Sequence, residues 1–134
     1  MIVADTCLVT HLFNESDQTL VAKKVLRKDS QWILPTLWQE EYANVLSKIA
    51  RKESIEINLV LKQFHYAMDT LKGGTIPVSP AKALRIAIEY KISVYDAHFV
   101  ALAMDYNVVM VSEDKEVLKN CPGIAVCMHE FLCQ

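Results

Sequence analysis

The chain has 134 residues, enough for one domain with a sizeable core. With 52% hydrophobic and 22% charged residues it has the composition of an ordinary globular protein, not of a disordered or fibrous one. A formal net charge of −2 and a pI near 6.1 exclude a global electrostatic attraction to nucleic acid, so any such contact must come from a local patch.

The chain opens on MIVA (1–4), a short apolar run expected to be a buried strand, followed by a helix over 6–13. Ser16 or Asp17 is expected to cap a second helix ending near Lys28. WIL (32–34) reads as a strand, and Pro35-Thr36 begins a long helical pattern to about Lys52. A further amphipathic helix spans 55–71 and stops at Gly73-Gly74. TIPV (75–78) is extended, residues 80–90 and 95–106 are helical, and VVMV (108–111) is the clearest buried strand. A short helix over 114–119 and a last strand over GIAVCM (123–128) complete the chain. No repeat, low-complexity stretch or Pro/Gly/Ser linker divides it, so residues 1–134 are expected to be a single domain. Short apolar strands alternating with helices argue for an α/β fold with a mainly parallel sheet. In such sheets ligands bind beyond the carboxyl ends of the strands.

No run approaches the ~20 apolar residues of a membrane span. The start, MIVADTC, has no basic region of the kind that opens a secretory signal. The expected compartment is the cytoplasm, with the four cysteines reduced. Cys121, Cys127, His129 and Cys133 do not read as a zinc site, because C-x5-C-x-H-x3-C lacks a tight C-x2-C knuckle. The basic clusters Lys23, Lys24, Arg27, Lys28 and Lys48, Arg51, Lys52 have the spacing of solvated helix faces.

Acidic residues carry the functional signal. Asp5 directly follows MIVA, and Asp114 follows VVMV closely, so both fall at carboxyl ends of strands. Asp96, in SVYDAHFVALAM, interrupts an apolar pattern near the start of a helix that returns to the same edge. At about 100° per residue it lies between Phe99 (~−60°), Ala103 (~−20°) and Val100 (~40°), while His98 (~200°) faces away from the core. A lone ionised carboxylate on an apolar face is costly unless something pairs with it. In PTLWQEEYANVL the same arithmetic separates two glutamates. With Trp38 at zero, Glu41 (~−60°) lies on the rim of the apolar face and Glu40 (~200°) faces water. Asn44 lies one turn on from Glu41. Taken singly, an aspartate at such a position can be a helix cap or a turn residue. Four acids converging on one edge repel one another, and a divalent cation with oxygen ligands, Mg²⁺ or Mn²⁺, resolves that repulsion.

The four segments IVADTCLV, LPTLWQEEYANVL, SVYDAHFVALA and VVMVSEDKEV resemble, in order and spacing, the four blocks of a PIN-domain ribonuclease. The chain length is similar to that of the VapC-type toxins of toxin–antitoxin pairs. The resemblance implies a three-layer α/β/α domain with about five short strands. It implies metal-dependent cleavage of RNA, with Asp5, Glu41, Asp96 and Asp114 holding Mg²⁺ or Mn²⁺ directly or through water. A bound water would attack phosphorus in line, leaving a 3′-hydroxyl and a 5′-phosphate, with no protein nucleophile. Thr6, Asn44, Ser112 and Glu116 are then the supporting or auxiliary positions, and Lys48 is the basic residue placed to meet a phosphate. A homodimer and a cognate antitoxin whose tail enters the acidic site are the implied partners, with no membrane. Two positions depart from the pattern. Cys7 stands where the family commonly has serine, and Ser112 where it commonly has threonine.

Two other readings compete. A phosphatase using Asp5 as nucleophile usually needs an aspartate two residues on, where this chain has Cys7. A catalytically inactive PIN-like binding module would share the fold without the chemistry. Nucleotide binding has no glycine-rich motif behind it.

Overall fold

In the computed structural model, which describes residues 1–134, five short strands form one parallel sheet: β1 (Ile2–Ala4), β2 (Trp32–Pro35), β3 (Thr75–Ile76), β4 (Met110–Val111) and β5 (Ala125–Val126). Their order is β3-β2-β1-β4-β5. Ile2 and Val3 pair with Trp32 and Ile33 on one side, while Val3 and Ala4 pair with Met110 and Val111 on the other. β1 is thus hydrogen-bonded on both edges, and its three residues are fully buried, which explains why it is an unbroken apolar run rather than an alternating one.

Seven helices connect the strands and an eighth follows the last: α1 (Thr6–Phe13), α2 (Thr19–Lys28), α3 (Trp38–Glu53), α4 (Ile57–Leu71), α5 (Pro80–Tyr90), α6 (Val94–Tyr106), α7 (Lys115–Asn120) and α8 (Met128–Cys133). They cover the sheet in three α/β/α layers. α6 lies along β1, β2 and β4 and is backed by α5, whereas α1 packs on α2 and α3, and α2 on α8. The core is one cluster of 33 buried apolar residues. No helix is long and apolar enough to cross a membrane.

The strand order carries a consequence for the site. From β1 the chain steps outward to β2 and β3, then returns through α5 and α6 to β4 on the opposite side of β1. The connections therefore diverge between β1 and β4. Such a topological switch point opens a crevice at the carboxyl ends of the two strands, the general ligand position in open parallel sheets. Asp5 and Ser112 are the first residues past those two strand ends.

Three local expectations are corrected. The apolar run GIAVCM does not remain a strand to its end: β5 is only Ala125–Val126, and Met128 begins α8, a helix the sequence reading omits. α2 starts at Thr19, after a turn in which Thr19 Oγ1 accepts from the Ser16 amide, and not at Ser16 or Asp17. α6 has no single apolar face: Ala97, Phe99, Val100, Ala101, Leu102 and Ala103 are all buried, so the helix is enclosed nearly all round. His98 is accordingly half-buried, with Nδ1 2.7 Å from the backbone oxygen of Val94. Gly73-Gly74 does end α4, and Gly74 is needed for more than the stop. A Cβ there would lie 1.9 Å from the Trp32 carbonyl oxygen, so only glycine lets this turn approach β2.

Candidate active site

Asp5 is the N-cap of α1 and is 7% exposed. Its Oδ1 accepts from the Thr6 amide at 2.7 Å. Its Oδ2 accepts from the Ser112 hydroxyl and, at 3.5 Å, from the Cys7 thiol. The capping role and the site role are therefore not alternatives, since one carboxylate closes the helix and faces the cleft. Burial pushes the Asp5 carboxyl above the usual aspartate range, against the pull of its hydrogen bonds to Ser112, Thr6 and Cys7.

Glu41 is brought in by α3, whose orientation is set from its other side. Trp38 and Tyr42 are fully buried, Trp38 Nε1 donates to Thr75 Oγ1 at 3.0 Å, and the Tyr42 hydroxyl donates to Asn14 Oδ1 at 2.6 Å. With that face locked, Glu41 meets the β1–α1 turn, and its Oε1 accepts from Thr6 Oγ1 at 2.7 Å. Glu40 is exposed, as its helical angle requires. Thr6 thus donates its amide to one site carboxylate and its hydroxyl to another. Burial and, after the opposing Thr6 hydrogen bond, the charges of Asp5 and Asp96 leave the Glu41 carboxyl pushed up to about 6.

Asp96 lies in the first turn of α6, but it is not the cap. Ser93 is, its hydroxyl accepting from the Asp96 amide at 3.0 Å. The carboxylate is left free to face the cleft. Burial first, then the charges of Asp5 and Asp114, push it up to about 6. The charge of Glu116 acts weakly in the same direction, although Glu116 does not line the cleft.

Asp114 is the N-cap of α7, with Oδ1 accepting from the amides of Glu116 and Val117 at 2.9 and 3.0 Å. Ser112, 1% exposed, lies behind it. Its hydroxyl donates to Asp5 and accepts from the Asp114 amide at 3.0 Å. One hydroxyl therefore couples the carboxyl ends of β1 and β4 across the switch point.

Asp5, Glu41, Asp96 and Asp114 all line one cleft of about 390 Å³, together with Thr6, Cys7, Thr10, Asn44, Val45 and Glu113. No lysine, arginine or histidine is among them. Lys48 is exposed and outside the lining, one turn along α3 from Asn44. Thr10 lines the cleft without being marked in the sequence reading. Thr10 follows Thr6 by one helical turn, a spacing that could have indicated it. Cys7 sits within the cluster with its thiol pushed well above the usual range, first by burial and then by the Asp5 charge. It is a protonated donor to Asp5, not a nucleophile.

The donor set fits a divalent cation in kind, since Asp5, Glu41, Asp96 and Asp114 face one cleft without a counter-charge and hard cations take oxygen ligands. No three acidic, histidine or cysteine side chains are gathered closely enough to grip one ion between them.

A parallel three-layer sheet with an acidic cleft at its switch point defines a class of protein, and the family follows from comparison. The model of the PIN domain matches residues 2–122, so the chain belongs to the PIN-domain family. PIN domains are generally nucleases, and usually use divalent metals. Comparison with curated proteins gives no match. Among solved structures, PAE2754 from Pyrobaculum aerophilum is similar in fold, with a TM-score of 0.76 and 20% identity over 98% of this chain and 93% of that one. A chain of a toxin–antitoxin complex from Klebsiella pneumoniae superposes with a TM-score of 0.69 and 20% identity, over 96% of this chain and 98% of that one.

Proposed function

We propose that the protein is a metal-dependent endoribonuclease, the toxin of a toxin–antitoxin pair, acting through Asp5, Glu41, Asp96 and Asp114 as one PIN-like unit over residues 1–134. The observation that carries this reading is the convergence of four carboxylates, from four separate segments, on a cleft at the β1/β4 switch point that contains no cationic side chain. The likeness to a chain of a toxin–antitoxin complex supports the toxin assignment and a cognate antitoxin as partner.

Within this reading Asp5 is a fixed anchor, with both oxygens held by Thr6, Ser112 and Cys7. Glu41 has Oε1 tied to Thr6, which leaves Oε2 to hold a proton, and its titration near 6 suits proton transfer close to neutral pH. A bound Mg²⁺ or Mn²⁺ would supply charge neutralisation at the scissile phosphate and acidify an attacking water. Asn44, one turn on from Glu41, is a supporting residue at the cleft, and exposed Lys48 offers a phosphate contact one turn further. Lys48 supplies the positive charge that the net charge of the chain does not. Exposed Leu84 and Ile88 on α5 give an apolar patch of the kind a homodimer would cover.

The alternative, an inactive PIN-like binding module, draws on the lack of three preassembled donors for one ion. Cleavage of single-stranded RNA with Mn²⁺, with chelator, and with Asp96→Asn separates the two. Metal-dependent cleavage abolished by Asp96→Asn is the expected result. Cleavage that survives chelator or the substitution would overturn the four-carboxylate site. Titration with Mn²⁺ adds a second readout, because a protein with a metal site gains thermal stability as the ion binds.

A further inference from the structure

We infer that α8 is a clamp on the acidic edge and that Glu113 is the positioning residue through which it acts, not a fifth acid of the site. The inference rests on the reading of the cleft as a nuclease site and says how that site is held in shape.

Glu113 lines the cleft beside Asp114, so its composition alone would make it a ligand candidate. Its carboxylate is already engaged, with Oε1 accepting from the Met128 amide at 2.7 Å, in the first turn of α8. Its own amide donates to Cys7 Sγ at 3.4 Å, and Cys7 in turn donates to Asp5 at 3.5 Å. With Ser112 bonded to Asp5 and Asp114 capping α7, the segment 112–114 is tied to three elements at once. Of the three, α8 is the one that holds it from outside the cleft.

α8 is firm enough to serve. A helix of six residues is not stable alone, so its order must come from outside. Met128 and Phe131 are buried in the core. At its far end, Lys28 Nζ donates to the carbonyl oxygens of Phe131 at 2.7 Å and Gln134 at 2.8 Å, and lies 4.9 Å from the centre of the Phe131 ring. Near its start, Cys127 Sγ accepts from the Glu130 amide at 3.4 Å. Three features that the nuclease reading leaves unused, namely Glu113, Lys28 from the α2 basic cluster and Cys127 from the terminal cysteine set, converge on this one helix. The family match ends at residue 122, before α8 begins.

The test uses full-length variants and Mn²⁺-supported cleavage of single-stranded RNA. Glu113→Gln keeps an oxygen acceptor for the Met128 amide but loses the acid, whereas Glu113→Ala loses both. Loosening a site by about an ångström costs up to ~10²-fold, so Glu113→Ala is expected to lower kcat by about 10- to 100-fold, with Glu113→Gln staying within about threefold of wild type. Lys28→Met, remote from the cleft, should lower kcat by about 3- to 10-fold with little change in KM. Hydrogen–deuterium exchange over 112–116 should quicken in both Glu113→Ala and Lys28→Met. Glu113→Gln as inactive as Glu113→Ala would overturn the inference, because the acid itself would then be required. So would Lys28→Met with unchanged exchange. Should wild type cleave no RNA, the nuclease reading fails by itself, and exchange over 112–116 still decides the clamp.

Discussion

The hydroxyl of Ser112 donates to Oδ2 of Asp5, joining the end of β4 to the end of β1 across 107 residues of chain. Both residues are buried, and both sit where the sheet connections diverge. The bond thus holds the two halves of the fold together at the point where the cleft opens.

Ser112→Ala should cost more than a surface hydroxyl would. It removes one donor to a buried carboxylate and the acceptor for the Asp114 amide. A loss of about 1–3 kcal/mol in urea denaturation at neutral pH is expected, with the m-value unchanged. Ser112→Thr retains the hydroxyl and should recover cleavage better than alanine does. Equal stability of the alanine variant and wild type would show that the hydroxyl carries no structural weight.

Asp96→Asn should separate function from stability. Under the proposed function, cleavage is expected to fall at least ~10²-fold, because the carboxylate is then an electrostatic element of the site. Metal-free stability at pH 7.5 is expected to rise, because the fold disfavours the ionised form of Asp96 through burial and then through Asp5 and Asp114. Allowing for screening of a half-buried group, the gain is on the order of 1 kcal/mol. Thermal melts of the two proteins in chelator check the sign.

The same groups set a pH dependence. Glu41 and Asp96 titrate near 6 in the fold, against ordinary values of 4.5 and 3.8. Between those values the folded protein binds more protons than the unfolded chain, so stability falls as pH rises through about 4 to 6 and levels off above about 7. The metal-free protein should therefore melt higher at pH 5 than at pH 7.5. Mn²⁺ at pH 7.5 should recover the difference, since a bound cation favours the ionised carboxylates. A metal-free protein that melts higher at pH 7.5 would contradict the burial of these carboxylates and, after it, the crowding of charge in the cleft.

Cys7 should be chemically quiet although it reaches the cleft. Burial and the Asp5 carboxylate hold its thiol protonated, whereas Cys133 is exposed at the end of α8. With iodoacetamide at pH 8, mass spectrometry should find Cys133 labelled first and Cys7 slower by at least ~10²-fold, because the thiolate is the reacting form. Comparable rates would mean that the thiol is not held by Asp5.

Much of this architecture is readable in the amino-acid pattern because it rests on local rules. Continuous apolar runs mark β1 and β2, since both are buried on both faces. The 100° arithmetic separates Glu41 from Glu40, because α3 has one buried face. The same arithmetic fails on α6, where burial on nearly every side leaves no face to define, and so it misplaces His98. α8 escapes notice for a related reason. Its first residue continues an apolar run from β5, and its stability is borrowed from Lys28, 103 residues away from Phe131 in the chain, and from Glu113. Such partners leave no periodic trace.

Residue type and short-range spacing were enough to locate four carboxylates at strand ends and helix starts, because backbone geometry links sequence position to direction over one or two turns. Which strands neighbour β1, and therefore that Asp5 and Ser112 face each other across a switch point, came from the folded sheet alone. The parallel pairings of β1 with β2 and β4 join segments far apart in the chain, and their order follows from how the helices pack over both faces. The hydrogen-bond partners of the acids came from the folded chain too. Asp96 faces the cleft because Ser93 caps its helix, and Glu113 is drawn away to α8 because the Met128 amide lies within reach.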